Sequence, residues 1–302
     1  VSSAGAVTVL TVGTCAITAT RPGGTNYNDA TATVNIVISK ATQSVVTVSA
    51  NRLSGTLNDG FAYRATGSGG STTIAFVYAS DSASVCSVDS ATGAVTILSA
   101  GTCSITATRP GGANYEDLGS TITIVIAKSD QTSLAVSADN TIIDYVESPK
   151  ATAQVSVTGA SSSGAVSYST TTPLVCSVDS TGVVTNITAG RCTITVTVDA
   201  DTNYNAATAS VLIRFGKIAQ AAVTASANIT STTLTSGASI TASLSGGSGT
   251  GAVTFSSAST ACSVNLSTGV VTLRGAGDCV VTATKATDLD YFALSDSVTI
   301  SI

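Results

Sequence analysis

The feature that most constrains this chain is a period of about 88 residues. Cys15, Cys103, Cys192 and Cys279 recur at spacings of 88, 89 and 87, and Tyr27, Tyr115, Tyr204 and Tyr291 follow each of them by 12. Lys40, Lys128 and Lys217 keep the same step, and each is followed three residues later by Gln43, Gln131 or Gln220. Self-similarity at a fixed step makes the repeat, not the chain, the unit of folding. The lysines set the boundaries: residues 1–40 are the C-terminal half of a repeat, and 41–128, 129–217 and 218–302 are three further repeats. A chain of 302 residues is too long for one small sandwich and suits several domains of this size.

Within a repeat, short alternating runs are broken by turn residues. Residues 85–89 form one run, Gly93 closes a turn at 90–93 with freedom to take positive φ, and 94–98 return. Ala100 and Gly101 turn the chain into a run at 102–108, a Gly-rich loop follows at 109–114, and a last strand is predicted at about 119–127. No segment has a helical period. The fold class predicted is all-β. About seven short strands per repeat call for tandem immunoglobulin-like β-sandwich domains. Each would span roughly 40 Å, and linkers without Gly or Pro runs at 40–42, 128–130 and 217–219 suggest an elongated rod.

Composition narrows the function. Charged residues make up 10% of the chain, His, Met and Trp are absent, and the net charge of -5 comes from scattered acids with no basic stripe. Nucleic acid is therefore not an expected partner. No uninterrupted apolar run approaches the roughly 18 residues of a membrane helix, so no membrane span is expected in this segment. With no initiator Met and no charged-then-apolar leader, the sequence reads as part of a longer translation product.

The block V-C-S-V-D-S, a Gly turn, V-T, and then A-G-x-C-x-I-T-A-T recurs at 85–108, 175–198 and more loosely 261–284, while residues 1–20 supply its second half. It resembles the bacterial immunoglobulin-like tandem repeats of the invasin and intimin type (BIG2-like) found in large surface proteins. The resemblance implies an extracellular or cell-surface location. An aromatic that the family usually places upstream, commonly Trp, is here Tyr78, Tyr168 or Phe255, and Cys stands where the family usually has small residues.

Cys86 with Cys103, Cys176 with Cys192, and Cys262 with Cys279 lie 17, 16 and 17 residues apart, each pair inside one repeat. Alternation puts Cys86 on the face of Val88, and Cys103 on that of Ile105 and Ala107, so both sulfurs are expected in the core, where a bridge would contribute about 3 kcal/mol. The alternatives are free thiols, disfavoured by periodic pairing in a secreted-looking chain, and zinc, disfavoured by the absence of His and of short ligand spacings. Cys15 has no mate. Aligning Val1 with Val178 places its missing partner two positions upstream of Val1, so the first repeat lacks its N-terminal half. Either the array extends further, which is preferred, or another chain supplies the absent strands and a filament results.

The four periodic tyrosines lie in the loop before the last strand, each preceded by Asn or Asp. A ring tucked under the sandwich end with its hydroxyl on backbone would make Tyr27, Tyr115, Tyr204 and Tyr291 loop anchors. Stacking on sugars is the other reading, and recurrence in every repeat favours the anchor. Asp199, Asp201, Asn203 and Asn205 space like the start of a calcium loop. Yet Tyr204 occupies the Gly position and Ser210 that of the bidentate Glu, so a solvated turn is preferred to a metal site. Asp89 and Asp179 fall in hairpin turns and are read as caps of backbone amides. Asn186, Asn228 and Asn265 head Asn-x-Ser/Thr sequons, and Ser and Thr on outward faces could carry O-linked sugars.

No residue set suits acid–base or metal catalysis, so the chain is expected not to be an enzyme and to need no cofactor. The function expected is that of a stalk or fibre segment of a bacterial surface or filament protein. The alternative is a carbohydrate-binding or virion-decorating module. The partners expected are neighbouring repeats of the same array, other copies in a filament, and surface glycans.

Overall fold

The computed structural model describes residues 2, 4–132, 134–235 and 237–302. Val1, the reference for placing a partner of Cys15, lies outside them. Every regular element among the described residues is a β-strand, so no helix there is long and apolar enough to cross a membrane. The chain divides into two compact units, one running to Asp130 and including Ala200–Asn205, the other comprising Gln131–Asp199 and Ala206–Ile302.

The sheets follow the repeats. In repeat 41–128 one sheet has the order Val46–Ala50, Tyr63–Gly69, Ala94–Ile97, Cys86–Val88, and the other Ser54–Thr56, Leu118–Ala127, Gly101–Arg109, Val77–Ser80. Their inner faces meet in one core, where Cys103, Ile105, Ala107 and Ile124 pack with Tyr63, Ala65 and Cys86. Repeat 129–217 has the same two sheets, and in repeat 218–302 the short edge strand is reduced to a bridge between Ser231 and Ser301. Each of these three repeats is an immunoglobulin-like β-sandwich with a core of its own. Fully burying an isoleucine such as Ile105, Ile194 or Ile213 stabilises its repeat by roughly 2 kcal/mol.

The two complete sheets of repeat 41–128 contain eight strands, against about seven expected. The extra element is Ser54–Thr56, which runs parallel to Leu118–Ala127 and pairs Ser54 with Val125. Along Gly101–Arg109 the alternate residues Cys103, Ile105 and Ala107 are fully buried, and the residues between them face outward. On that outward face the same cross-strand hydroxyl pair recurs in all four repeats: Thr18 with Thr33, Thr106 with Thr121, Thr195 with Ser210, and Thr282 with Ser297, at 2.8 to 3.0 Å. Such pairs keep β-propensity high on a wet face, which accounts for the abundance of Thr and Ser.

The 13–38 hairpin is the exception. It pairs Gly13–Arg21 with Ala30–Ile38 in the register of its counterparts, yet Ile36 is 38% exposed where the equivalent Ile124, Ile213 and Ile300 are 0% exposed.

Gly93, Gly182 and Gly269 close the equivalent hairpin turns with φ of 72°, 85° and 69°. A Cβ on Gly93 would fall 2.2 Å from the carbonyl oxygen of Ala65 and 3.2 Å from the ring of Tyr78, which lies against the turn. Gly93→Ala should therefore destabilise its repeat by about 2 kcal/mol, from left-handed strain and a backbone clash together. Urea denaturation checks this, and an unchanged midpoint would show that the turn relaxes freely.

Candidate functional site

The site is built from the loop that precedes the last long strand of each repeat. In repeat 41–128 that loop is held from below by Gln43. Its Nε2 donates to the carbonyls of Arg109 and Glu116 at 2.8 and 2.9 Å, and its Oε1 accepts from the Ser71 amide at 3.1 Å. Gln220 does the same with Ala286, Phe292 and Gly249. Gln131 bonds to Val198 and Ser162. Gln43 and Gln220 are buried, so their satisfied amides fix the loop firmly. Sequence reasoning had this residue as a ruler and missed its role; the strict period was the available signal.

The tyrosines do something else. Three of the four lie opposite the first residues of their own repeats, in parallel bridges of Ala41 with Tyr115, Ser129 with Tyr204 and Ile218 with Tyr291. In Tyr204 and Tyr291 the side chain reaches the repeat before it. Tyr291 Oη donates to Glu147 Oε2 at 3.0 Å, and its ring sits edge-on to Tyr145 with centroids 6.1 Å apart. Tyr204 Oη accepts from Asn58 Nδ2 at 3.4 Å. Tyr115 is half-buried, and Tyr27 is 83% exposed. In Tyr204 and Tyr291 the hydroxyl reaches a side chain of the preceding repeat where a backbone partner was expected, and Gln43 and Gln220 supply bonds that hold the loop in their repeats.

The residue before Tyr115, Tyr204 or Tyr291 completes the joint. The Val12 amide donates to Asn114 Oδ1 at 3.3 Å, the Ala100 amide to Asn203 Oδ1 at 2.9 Å, and the Ala189 amide to Asp290 Oδ1 at 2.5 Å. Val12, Ala100 and Ala189 are equivalent positions, each just ahead of the glycine that opens a long strand. One hydrogen bond thus recurs at three joints between successive repeats. In the second unit Tyr145, Ala189 and Tyr291 are all buried around it, with Ile218 packed alongside. Burial first, then neighbouring Asp290 and Glu147, pushes the Tyr145 hydroxyl above its ordinary pKa. Burial and the bond to Glu147 do the same for Tyr291.

Six cysteines lie in the cores, away from these joints. Cys86 is bonded to Cys103, Cys176 to Cys192 and Cys262 to Cys279, with Cα–Cα distances of 5.6, 5.8 and 5.6 Å. Cys15 is half-buried and free.

Of the four side chains considered for calcium, Asp201 and Asn203 turn an oxygen to backbone amides. Asp201 Oδ1 accepts from the amides of Asn203 and Tyr204, both at 2.8 Å, Asn203 Oδ1 takes the Ala100 amide, and Asn205 Nδ2 donates to Asp130. Among the described residues no group of three or more acidic, Cys or His side chains could hold a metal ion. Asp89 Oδ1 caps the amides of Ala91 and Thr92, and Asp179 Oδ1 those of Thr181 and Val183. Thr92 and Thr181, respectively, are the chief reason both carboxyls lie below the usual range. Of the sequon asparagines, Asn186 is 0% exposed with its Nδ2 on the Val146 carbonyl, so the folded repeat cannot present it for glycosylation. Asn228 bonds to the backbone of Ser239 and Thr241, and Asn265 to amides of its own turn.

Asp288, the counterpart of Asp201, holds the joint loop of the last repeat. Its carboxyl is lowered to about 2, chiefly by the Thr250 amide, with Tyr291 and Asp290 adding and burial opposing. A depressed carboxyl contributes stability that is present above its unfolded value of 3.8 and is lost as pH falls through about 2. The Tyr291 amide signal should therefore report loosening of this loop between pH 4 and 2, and Asp288→Asn should flatten that dependence. An identical acid profile in the variant would reject the assignment.

No protein-family model matches the chain, and no curated protein sequence matches it. Several solved structures are similar to it. Invasin, described as a bacterial integrin-binding protein, is 15% identical over 84% of this chain and 60% of that one, with a TM-score of 0.31. A 282-residue C-terminal fragment of intimin, solved with the intimin-binding domain of the translocated intimin receptor, is 21% identical over 55% and 64%, with a TM-score of 0.24. Domains 1–6 of the surface layer protein SbsC are 14% identical over 97% and 45%, with a TM-score of 0.26. The chain spans less than two thirds of each of these three.

Proposed function

We propose that this chain is a stalk segment of a larger extracellular or cell-surface protein, a non-catalytic spacer built from BIG2-like immunoglobulin repeats. The observation that carries the reading is the joint. An amide of Val12, Ala100 or Ala189 meets the side-chain oxygen of Asn114, Asn203 or Asp290 in the next repeat, a contact that holds one repeat to another and offers no chemistry of its own. The three disulfides favour an oxidising compartment. The aspartates that depart from ordinary behaviour, such as Asp89, Asp179 and Asp288, are all lowered by hydrogen bonds, chiefly from the Thr92 amide, the Thr181 hydroxyl and the Thr250 amide, the direction opposite to that of a general acid.

Small-angle scattering of the whole chain tests the proposal. A stalk of such repeats, each roughly 40 Å long, should have a radius of gyration near ~40 Å, against about 19 Å for a compact globule of this length. A value near the lower figure would remove the spacer reading.

A further inference from the structure

We propose that the third repeat carries a binding site for an acidic polysaccharide, centred on Arg191 and Arg214. The two stand directly opposite one another where Gly190–Val198 and Ala207–Gly216 pair, and both side chains are exposed. Like charges in that position repel across the ladder. Among the described residues neither guanidinium has a hydrogen bond or an ion pair to offset this; the one ion pair found there joins Arg52 to Asp59. Asp144, opposite Gly216 and two positions along from Ile142, makes no ion pair with either arginine.

The fold does not ask for these arginines. The equivalent cross-strand positions hold Thr14 with Val37, Thr102 with Val125, and Asp278 with Ser301. In the last of these the two side chains are joined by a 3.0 Å hydrogen bond from Ser301 Oγ to Asp278 Oδ1. Only the third repeat spends both positions on unpaired cations.

Both arginines line a cavity of about 520 Å³, together with Lys217, Ile142 and Leu289. That volume lies in the range of small-ligand sites. The Lys217 ammonium is held by the Asp288 carbonyl and Thr287 Oγ1, which fixes a third positive charge at the wall. Ile142 and Leu289 are 72% and 69% exposed, an uncommon state for large aliphatic side chains. Guanidinium groups match carboxylates in a bidentate fork. Aliphatic walls beside them suit the C–H face of a sugar ring, so the two features together select a uronic acid unit over a bare anion. The proposal does not rest on the stalk reading.

The test is an NMR titration of the ¹⁵N-labelled full chain with tetragalacturonate, its methyl ester, and inorganic sulfate, all at equal ionic strength. The uronate should saturate shifts confined to residues 189–191, 214–217 and Leu289. The uncharged ester should bind at least tenfold more weakly. The Arg191→Thr/Arg214→Val variant, which copies the second repeat and so keeps the fold, should lose at least tenfold in affinity, with its spectrum unchanged elsewhere. No saturable shift with the uronate, equal binding by the variant or the ester, or equal affinity for sulfate alone would each overturn the proposal.

Discussion

Reduction of the three disulfides should destabilise each complete repeat by about 3 kcal/mol while leaving the all-β fold in place. The bridges close loops with sequence separations of 17, 16 and 17 residues, a span for which loop-closure entropy in the unfolded chain gives that figure. All six sulfurs lie inside the sandwich cores: Cys86, Cys103, Cys176, Cys192 and Cys279 are fully buried and Cys262 nearly so. A reduced thiol there behaves as a small apolar group, and the alternation along strands such as Gly101–Arg109 still specifies which face turns inward. The cost therefore falls on stability and not on topology. For domains of this size it corresponds to a fall in melting temperature of roughly 15 °C. Thermal melts with and without reductant, followed by circular dichroism, measure it. Coincident midpoints would mean that the bridges do little, and a change in the folded spectrum would mean that they help to specify the fold.

The period and the alternation made the cores legible. Cys103, Ile105 and Ala107 could be placed inward from sequence, as could the hairpin of Cys86–Val88 with Ala94–Ile97, because a turn glycine and residues one step apart define both. Ser54–Thr56 was not legible. It pairs in parallel with residues some 70 positions away, and three residues of Ser, Gly and Thr have no pattern to announce it. The joint was half legible. Recurrence marks Tyr204 and Tyr291 as structural, yet a ring that closes its own loop and one that docks on the preceding repeat leave the same period in the sequence. What separates them is the identity of the partner, here Asn58 or Glu147, each more than a hundred residues away. Arg191 and Arg214 were invisible for a related reason: 23 positions apart, they become neighbours only through ladder register.

Tyr291→Ala should uncouple the third and fourth repeats at a cost of about 3 kcal/mol, the usual range for deleting a buried aromatic ring. Tyr291 is 7% exposed, and much of that burial comes from the preceding repeat, whose Tyr145 and Ala189 form one cluster with it. Truncation would uncover the edge of Tyr145 and leave the Glu147 carboxylate without its donor. The core of the fourth repeat, around Ile240, Val281 and Ile300, does not include Tyr291, so its fold should survive. Tyr291→Phe separates the two contributions: the ring stays, the hydroxyl bond goes, and the loss should be about 1 kcal/mol. Melting curves give the energies, and ¹⁵N relaxation gives the coupling. In the parent chain the third and fourth repeats should share one rotational correlation time, and in the alanine variant the fourth should tumble faster on its own. If alanine and phenylalanine variants behave alike, ring packing is not what holds this joint. The Ala189 amide bond to Asp290 would then be the contact to remove next, since it is the one that recurs at every joint.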